Sequence, residues 1–402
     1  MKKQLTAYIY VLIRNLFFIA TKAVDFLGCS LKYKKSRSFS NADKIIVSEI
    51  GHIGDAMFAT PAYGIIKKNF PNSQIWALVN SCARELLEDN PNISKIITYD
   101  HFRLARHNGN TLKKALKSIN ETIKVIKIFR NNKFDLGIDL RHFYPMTILL
   151  MFFGGVKYIV GFGNRGFGFL LDKEFALMPD LHEVEYKTQA LGQLGLKIPS
   201  NNETKLELHF NDETILKVRT LLSSLSVNPR KPISIIHPGT GQPSRLWLEE
   251  EWIKVTDFLT KQNIQVIFAG EKSENRLIHK IMTGISSNNN CWDLSEKLSL
   301  KEFAILVKIA DFLIGLESAS SHIAAAVGTP VVSIYSGTTK TSQWRPWGEN
   351  VFVVKKDLPC APCYNPIGCQ DMKCLSSIKA DDVIAIIDKK IIPGLSKRKS
   401  EM

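Results

Sequence analysis

Two series of short β-branched runs, each alternating with helical stretches, are separated by a turn-rich break, and this pattern most restricts the fold. In the first series "KIIVSEI", "SQIWALVN", "ISKIITYD", "FDLGIDL" and "KYIVGF" read as buried strands. Between them, Pro61 to Asn69, "CARELLEDNP", a long basic amphipathic stretch from about Leu112 to Arg130, and "TILLMFFGG" read as helices. "KIPSNNETKLELHFNDE" is polar and turn-rich, a helix over Thr214 to Leu225 follows, and "NPRKP" breaks the chain again. The alternation then restarts with "ISIIHPG", "IQVIFAG", "DFLIG" and "PVVSIYSG" as strands and "LEEEWIKVTDFLTKQ", "SENRLIHKIMTG", "SLKEFAILVKIA" and "SSHIAAAVG" as helices. Strands that alternate with helices of this length imply βαβ units and a parallel sheet. The expectation is α/β, with two doubly wound domains in series and a ligand cleft between them at the carboxyl ends of the strands. The divisions are 1–43, a basic N-terminal segment; 44–205, the first domain; 206–231, a linker; 232–380, the second domain; and 381–402, a C-terminal helix and basic tail.

The formal charge of +15 suggests a nucleic-acid binder until it is located along the chain. Residues 1–40 carry +7 and residues 389–402 carry +4, which leaves the body near +4. An excess confined to the ends argues for an anionic surface met by the tails and against a nucleic-acid groove. "QLTAYIYVLIRNLFFIATKAVDFLG" is apolar, but Arg14 and Asn15 interrupt it, so its runs are too short to span a bilayer. The same interruption spoils a signal-peptide pattern. The segment reads as a helix lying on the inner membrane face, with Lys32 to Arg37 adding attraction to anionic lipid. An ordinary packed helix is the alternative. The expected location is therefore cytoplasmic and peripheral.

In "VSEIGHIGDAMFATPA" a glycine turn joins a strand to a helix, a setting that commonly holds phosphate. Asp55 would repel one. Gly51, His52 and Gly54 with Asp55 therefore suit the acceptor side of a site, the glycines allowing close approach; Asp55 as a helix N-cap is the alternative. "IIHPGTGQPSRLW" ends a strand in a turn whose amides and Thr240 hydroxyl can meet an anion, with Gly241 in the turn and Arg245 a cation beside Trp247. A plain turn with a surface arginine is the alternative. In "LIGLESASSHIAAAVG", Ser318, Ser320 and Ser321 are N-cap types, so helix amides from Ser318 through Ala319 to Ser321 suit a pyrophosphate and Glu317 suits sugar hydroxyls. His322 belongs to the same loop or packs in the core. Glu271 and Glu274, after "FAG", suit ribose hydroxyls or are exposed helix-start acids.

"GHIGDAMFATPA", "HPGTGQPSRLWLEEEW", "ESASSHIAAAVGTPVVSIYSGT" with "WRPWG", and a closing cysteine segment stand in the same order as in the heptosyltransferase family. The chain resembles, over about residues 44–390, these family 9 glycosyltransferases, which use ADP-heptose to build lipopolysaccharide inner core. The resemblance implies a GT-B fold, two Rossmann-like domains with a C-terminal helix crossing back to the first, and an inverting transfer that needs no metal. It implies Asp55 as general base, Thr240 and Arg245 on the donor phosphates, and Glu274 near the nucleoside. Glu317, Ser318, Ala319 and His322 fall on the family's Asp-Thr-Gly and His of the donor loop. The usual Asp-Thr-Gly-Leu is here Glu-Ser-Ala-Ser and the usual lysine is Arg245, so a longer acid and an added methyl reshape the sugar pocket. The implied partners are a nucleotide-sugar donor and a lipid-linked saccharide acceptor. A nucleotide-sugar 2-epimerase and a saccharide-binding protein without catalysis remain the alternatives.

Four of the seven cysteines crowd "CAPCYNPIGCQDMKC". Cys360, Cys363, Cys369 and Cys374 suit a structural zinc, reduced thiols or disulfides, and a similar cluster occurs in many family members.

Overall fold

The computed structural model describes residues 25–28, 41–100, 111–142, 145–365 and 367–398. Most of the N-terminal segment and the last four residues, and with them the membrane-lying helix expected from the sequence, fall outside these. The chain divides into two compact units, 1–204 and 205–402.

In the first unit β1 (Lys44–Glu49), β2 (Gln74–Val79), β3 (Lys95–Thr98), β4 (Leu136–Asp139), β5 (Tyr158–Gly161) and β6 (Lys173–Glu174) form one sheet in the order β3-β2-β1-β4-β5-β6. Every pairing is parallel. Its strands read as unbroken apolar runs because both faces are covered. Ile45, Val47, Ile75, Ala77 and Ile138 pack on one side with Tyr63, Ala190 and Leu191. Ile46, Trp76 and Leu78 pack on the other with Phe129, Phe134 and Met151.

In the second unit β7 (Ile233–His237), β8 (Gln265–Phe268), β9 (Cys291–Asp293), β10 (Phe312–Leu316), β11 (Val331–Ile334) and β12 (Val351–Val354) are ordered β12-β11-β10-β7-β8-β9. Read from the other edge this is the order of the first sheet, strand for strand, and again all parallel. The core joins Ile236, Val266, Phe268 and Ile314 to Trp247 and Trp252, which meet edge to face at 5.0 Å. Residues 206–231 carry the helix Asp212–Ser224, capped where Asn211 Oδ1 accepts from Thr214 N at 2.8 Å. The chain's terminal helices pack into this second core through Val383, Ile387 and Ile391.

In each sheet the strand order reverses beside the first strand, between β1 and β4 and between β7 and β10. Ligand crevices of doubly wound sheets lie at the carboxyl ends of such strands. Ser48 pairs with Asp139 there in the first unit, and His237 with Gly315 in the second.

Candidate active site

The carboxyl end of β1 continues into the helix Ile53–Phe58, with His52 as its N-cap and Asp55 at the third helical position. Asp55 Oδ2 accepts from His52 N at 2.7 Å, so the acid closes the first turn from inside the helix and is not itself the N-cap. The same oxygen stands 3.4 Å from Arg141 Nη1, and the side chain keeps 11% exposure. Arg141 lies just past β4. Its Nη1 donates to Glu49 Oε1 at 2.8 Å, and the other Glu49 oxygen meets Lys187 Nζ at 2.9 Å. Lys187 also donates to Glu183 Oε2 at 3.2 Å, both residues lying on the helix Glu183–Gln193. Gly51 has a firm steric reason: a Cβ at that position would collide with Arg141 Nη1 and with Asp55. The close approach it permits is therefore internal, between the loop and the Arg141 guanidinium.

Charge in this pocket follows from its partners. Burial pushes the Asp55 carboxyl up, but Arg141, Lys187 and His52 together with the His52 N–H outweigh it and hold the group below the usual carboxylate range. Burial also works against the Lys187 ammonium, yet Glu49, Glu183 and Asp55 raise it above the ordinary lysine value. His142 has only Asp55 working in its favour. Burial, then Lys187 and Arg141, drive it down to about 3, so its 3.8 Å approach to Glu183 is a contact of a neutral ring.

In the second unit the turn after β7 holds Thr240, whose Oγ1 accepts from Gln242 N at 3.4 Å, and exposed Gly241. Arg245 ends the short turn Pro243–Arg245. Its Nη2 is 3.3 Å from Glu317 Oε1, and its Nη1 lies 3.5 Å from the Glu317 carbonyl. Glu317 follows β10 and is buried. Thr339 Oγ1 donates to its Oε1 at 2.5 Å and Ser336 Oγ to its Oε2 at 3.2 Å. Burial still leaves its carboxyl above the ordinary glutamate value despite Arg245 and the two hydroxyls. Trp247 follows Arg245 two residues later. It is a core residue whose Nε1 donates to Ile378 O at 3.0 Å.

The helix Ala319–Ala326 has Ser318 as its N-cap, as the serine cluster implied, and Gly328 at φ +78° follows its last turn. Its first-turn amides have no acceptor within the helix. The serine hydroxyls are otherwise engaged: Ser318 and Ser320 bond each other at 2.8 Å, and Ser321 donates to Leu316 O at 2.8 Å while accepting from Ser333. Ser321 and His322 are buried, so this loop offers an anion its amides rather than the Ser321 hydroxyl. Glu274 Oε2 accepts from Glu271 N at 2.8 Å and faces His237 Nε2 at 3.7 Å, while Glu271 itself is exposed. The Glu274 carboxylate fills space that a Cβ on Gly239 or Gly270 would occupy.

Arg245 and Glu317 are thus brought together in one unit, and Asp55 with Gly51 and His52 in the other. Glu49, Arg141, Glu183 and Lys187 form an ion-pair chain reaching Asp55 that the motifs did not reveal. The available signal was a glutamate ending an otherwise apolar strand and an arginine two residues beyond another. The cysteines do not assemble. All four are free thiols; Cys374 is buried beside Gly337, while Cys360, Cys363 and Cys369 are exposed. Among the described residues no three His, Cys, Asp or Glu side chains form a group able to hold a metal ion, so this structure does not fit a four-cysteine zinc shell.

Known proteins share this fold. The chain is 28% identical over 343 residues to lipopolysaccharide heptosyltransferase 3 of Escherichia coli, covering 84% of this chain and 94% of that protein. Its structure resembles that of a family 9 glycosyl transferase from Veillonella parvula at a TM-score of 0.76 and 20% identity, covering 90% of this chain and 100% of that one. It also resembles the ADP-heptose lipopolysaccharide heptosyltransferase II of Escherichia coli at a TM-score of 0.69 and 17% identity, over 87% and 99% of the two chains. The fold is accordingly α/β of the GT-B class. The model of glycosyltransferase family 9 (heptosyltransferase) matches residues 122–370, and the chain is a glycosyltransferase belonging to that family.

Proposed function

We propose that the chain moves a heptose, or a closely related sugar, from an ADP-heptose-like donor to a lipopolysaccharide-core or other cell-envelope glycan, with inversion at the anomeric carbon. The observation that carries the reading is Asp55, a carboxylate held in its charged form in the first turn of the helix after β1 with part of its surface open to solvent. It takes the proton of the acceptor hydroxyl as that oxygen attacks the anomeric carbon. The bond from that carbon to the phosphate oxygen breaks on the opposite face, and the nucleoside diphosphate departs. Arg245, Thr240, Gly241 and the amides from Ser318 to Ser321 receive the growing negative charge, the kind of interaction that lowers a barrier. Glu317 orients Arg245 and has lone pairs left for a donor-sugar hydroxyl, and Glu274 takes the nucleoside.

Replacing Asp55 by Asn is expected to cut turnover at least ~100-fold, with affinity for ADP held within a few-fold, read by product formation and by calorimetry. Persistent turnover would remove Asp55 as the base. Incubating the donor alone separates transfer from epimerisation, because a transferase leaves it essentially unchanged.

The location proposed is the inner face of the cytoplasmic membrane, where a lipid-linked acceptor would be met. No described helix is long and apolar enough to cross a membrane. The helix Thr111–Asn132 supports surface attachment: it carries six Lys/Arg against Glu121 alone, and Ile119 and Ile123 are 54% and 46% exposed. Exposed Phe153 lies beside its end, where Arg130 Nε donates to the Phe153 carbonyl at 2.9 Å.

A further inference from the structure

Behind Asp55 lies a set of buried charges that the transfer chemistry does not use directly. Glu49, Arg141, Lys187 and Glu183 are all under 10% exposed and are linked in a chain of ion pairs at 2.8, 2.9 and 3.2 Å. Buried ion pairs are poor sources of stability, since apolar replacements of like volume are often as stable. Their arrangement points elsewhere. One atom, Arg141 Nη1, bridges Glu49 and Asp55, and Gly51 is bare where any side chain would separate the guanidinium from the acid. The groups acting on Asp55 are Arg141 from beyond β4, Lys187 from the helix Glu183–Gln193 and His52 from its own turn, with His142 also within reach of its charge; Glu49 from β1 and Glu183 pair with these cations from behind.

We infer that Arg141, anchored by Glu49, and Lys187 are positioning residues that aim the Asp55 carboxylate and balance its charge for proton abstraction. The inference rests on Asp55 being the base. Arg141 meets both acids through one Nη1 of a planar guanidinium, hydrogen-bonded to Glu49 and paired with Asp55, so a lysine keeps the charge but not the planar fork. Glu49 competes with Asp55 for the same guanidinium, and its charge and that of Arg141 act on Asp55 in opposite senses.

The test is the pH profile of kcat/KM for the full chain, with ADP-heptose as donor and heptose-deficient lipopolysaccharide as acceptor. Arg141→Gln is expected to move the acid limb up by about one pH unit or more, so that activity lost on the acid side of the profile recovers as the pH is raised. Arg141→Lys should fall between, and ADP affinity should be unchanged. Glu49→Gln should move the limb down, an opposite shift that damage to the fold would not produce. If Arg141→Gln does not fold, the opposite displacements of Arg141→Lys and Glu49→Gln carry the test. A rate loss equal at every pH, an unmoved limb, or both variants shifting the same way would overturn the inference. Asp55→Asn in the same assay keeps the two readings apart. Retained turnover there defeats the base assignment, whereas loss of turnover with an unmoved limb in the arginine variants defeats only the positioning role.

Discussion

Asp139 and His142 flank Arg141 three residues apart, and burial drives both toward neutrality from opposite directions. The carboxyl rises from 3.8 to about 7, chiefly through burial and with Glu49 adding to it, although the Thr147 hydroxyl, the Arg141 N–H and its guanidinium pull the other way. A carboxyl raised by folding favours the native state while protonated, so its contribution is complete below pH ~4 and is lost as pH rises through about 7. Between those values stability should fall by up to about 1.4 kcal/mol per pH unit from this group. Asp139→Asn keeps an acceptor for the Arg141 N–H and can bond the Thr147 hydroxyl, and it removes the titration. Its melting temperature is expected to decline less than that of the parent between pH 5.5 and 8.5 in thermal unfolding followed by circular dichroism. Single residues of this kind were only partly legible. Asp55, Arg245 and Glu317 could be singled out because each lies in a stretch of unusual composition that follows a strand. Glu49 and Arg141 are 92 residues apart, and no local pattern reveals that they share a hydrogen bond.

Central strands and long amphipathic helices could be read from their period because sheet and core impose it. The stretch predicted as a helix over about 112–130 is one, as Thr111–Asn132. β6, β9 and β12 were not foreseen. Each is a short edge strand of two to four residues, covered less fully than the centre. The helix Glu183–Gln193 was missed for another reason: it buries Glu183 and Lys187 among its apolar residues, which erases the amphipathic stripe that would have marked it. An excess of a different kind marks Thr111–Asn132, which leaves isoleucines on its solvent side amid lysines. Replacing Ile119 and Ile123 by Ser should reduce binding to vesicles of anionic lipid at least several-fold in a sedimentation assay. Binding to neutral vesicles should stay weak for both proteins. Because both positions are exposed, stability should change by no more than about 0.5 kcal/mol per site. Unaltered binding to anionic vesicles would place the membrane contact elsewhere on the chain.

The two units repeat one strand order and place their distinctive side chains at equivalent strand ends, yet with opposite charge at the tip. The first unit presents Asp55 after its opening strand. The second presents Thr240 and Arg245 after its own, followed by the amides of the helix that succeeds β10. Such a division suits a donor whose phosphates belong to one unit and an acceptor that belongs to the other, and it can be read without turnover. A ligand that binds only the folded form of a unit stabilises it by about 2.7 kcal/mol at 100 times its dissociation constant. With ADP at that excess, amides of β7, β8 and β10 that exchange only by unfolding of the second unit should slow by about 100-fold in hydrogen exchange on the full chain. Amides of β1 and β4 should remain within a few-fold of their rates without ADP. The amides around Thr240 and from Ser318 to Ser321 should show protection at lower occupancy, since they would meet the phosphates directly. Protection centred instead on Gly51 to Asp55 would reverse the assignment and put the nucleotide where the sign of the charge argues against it.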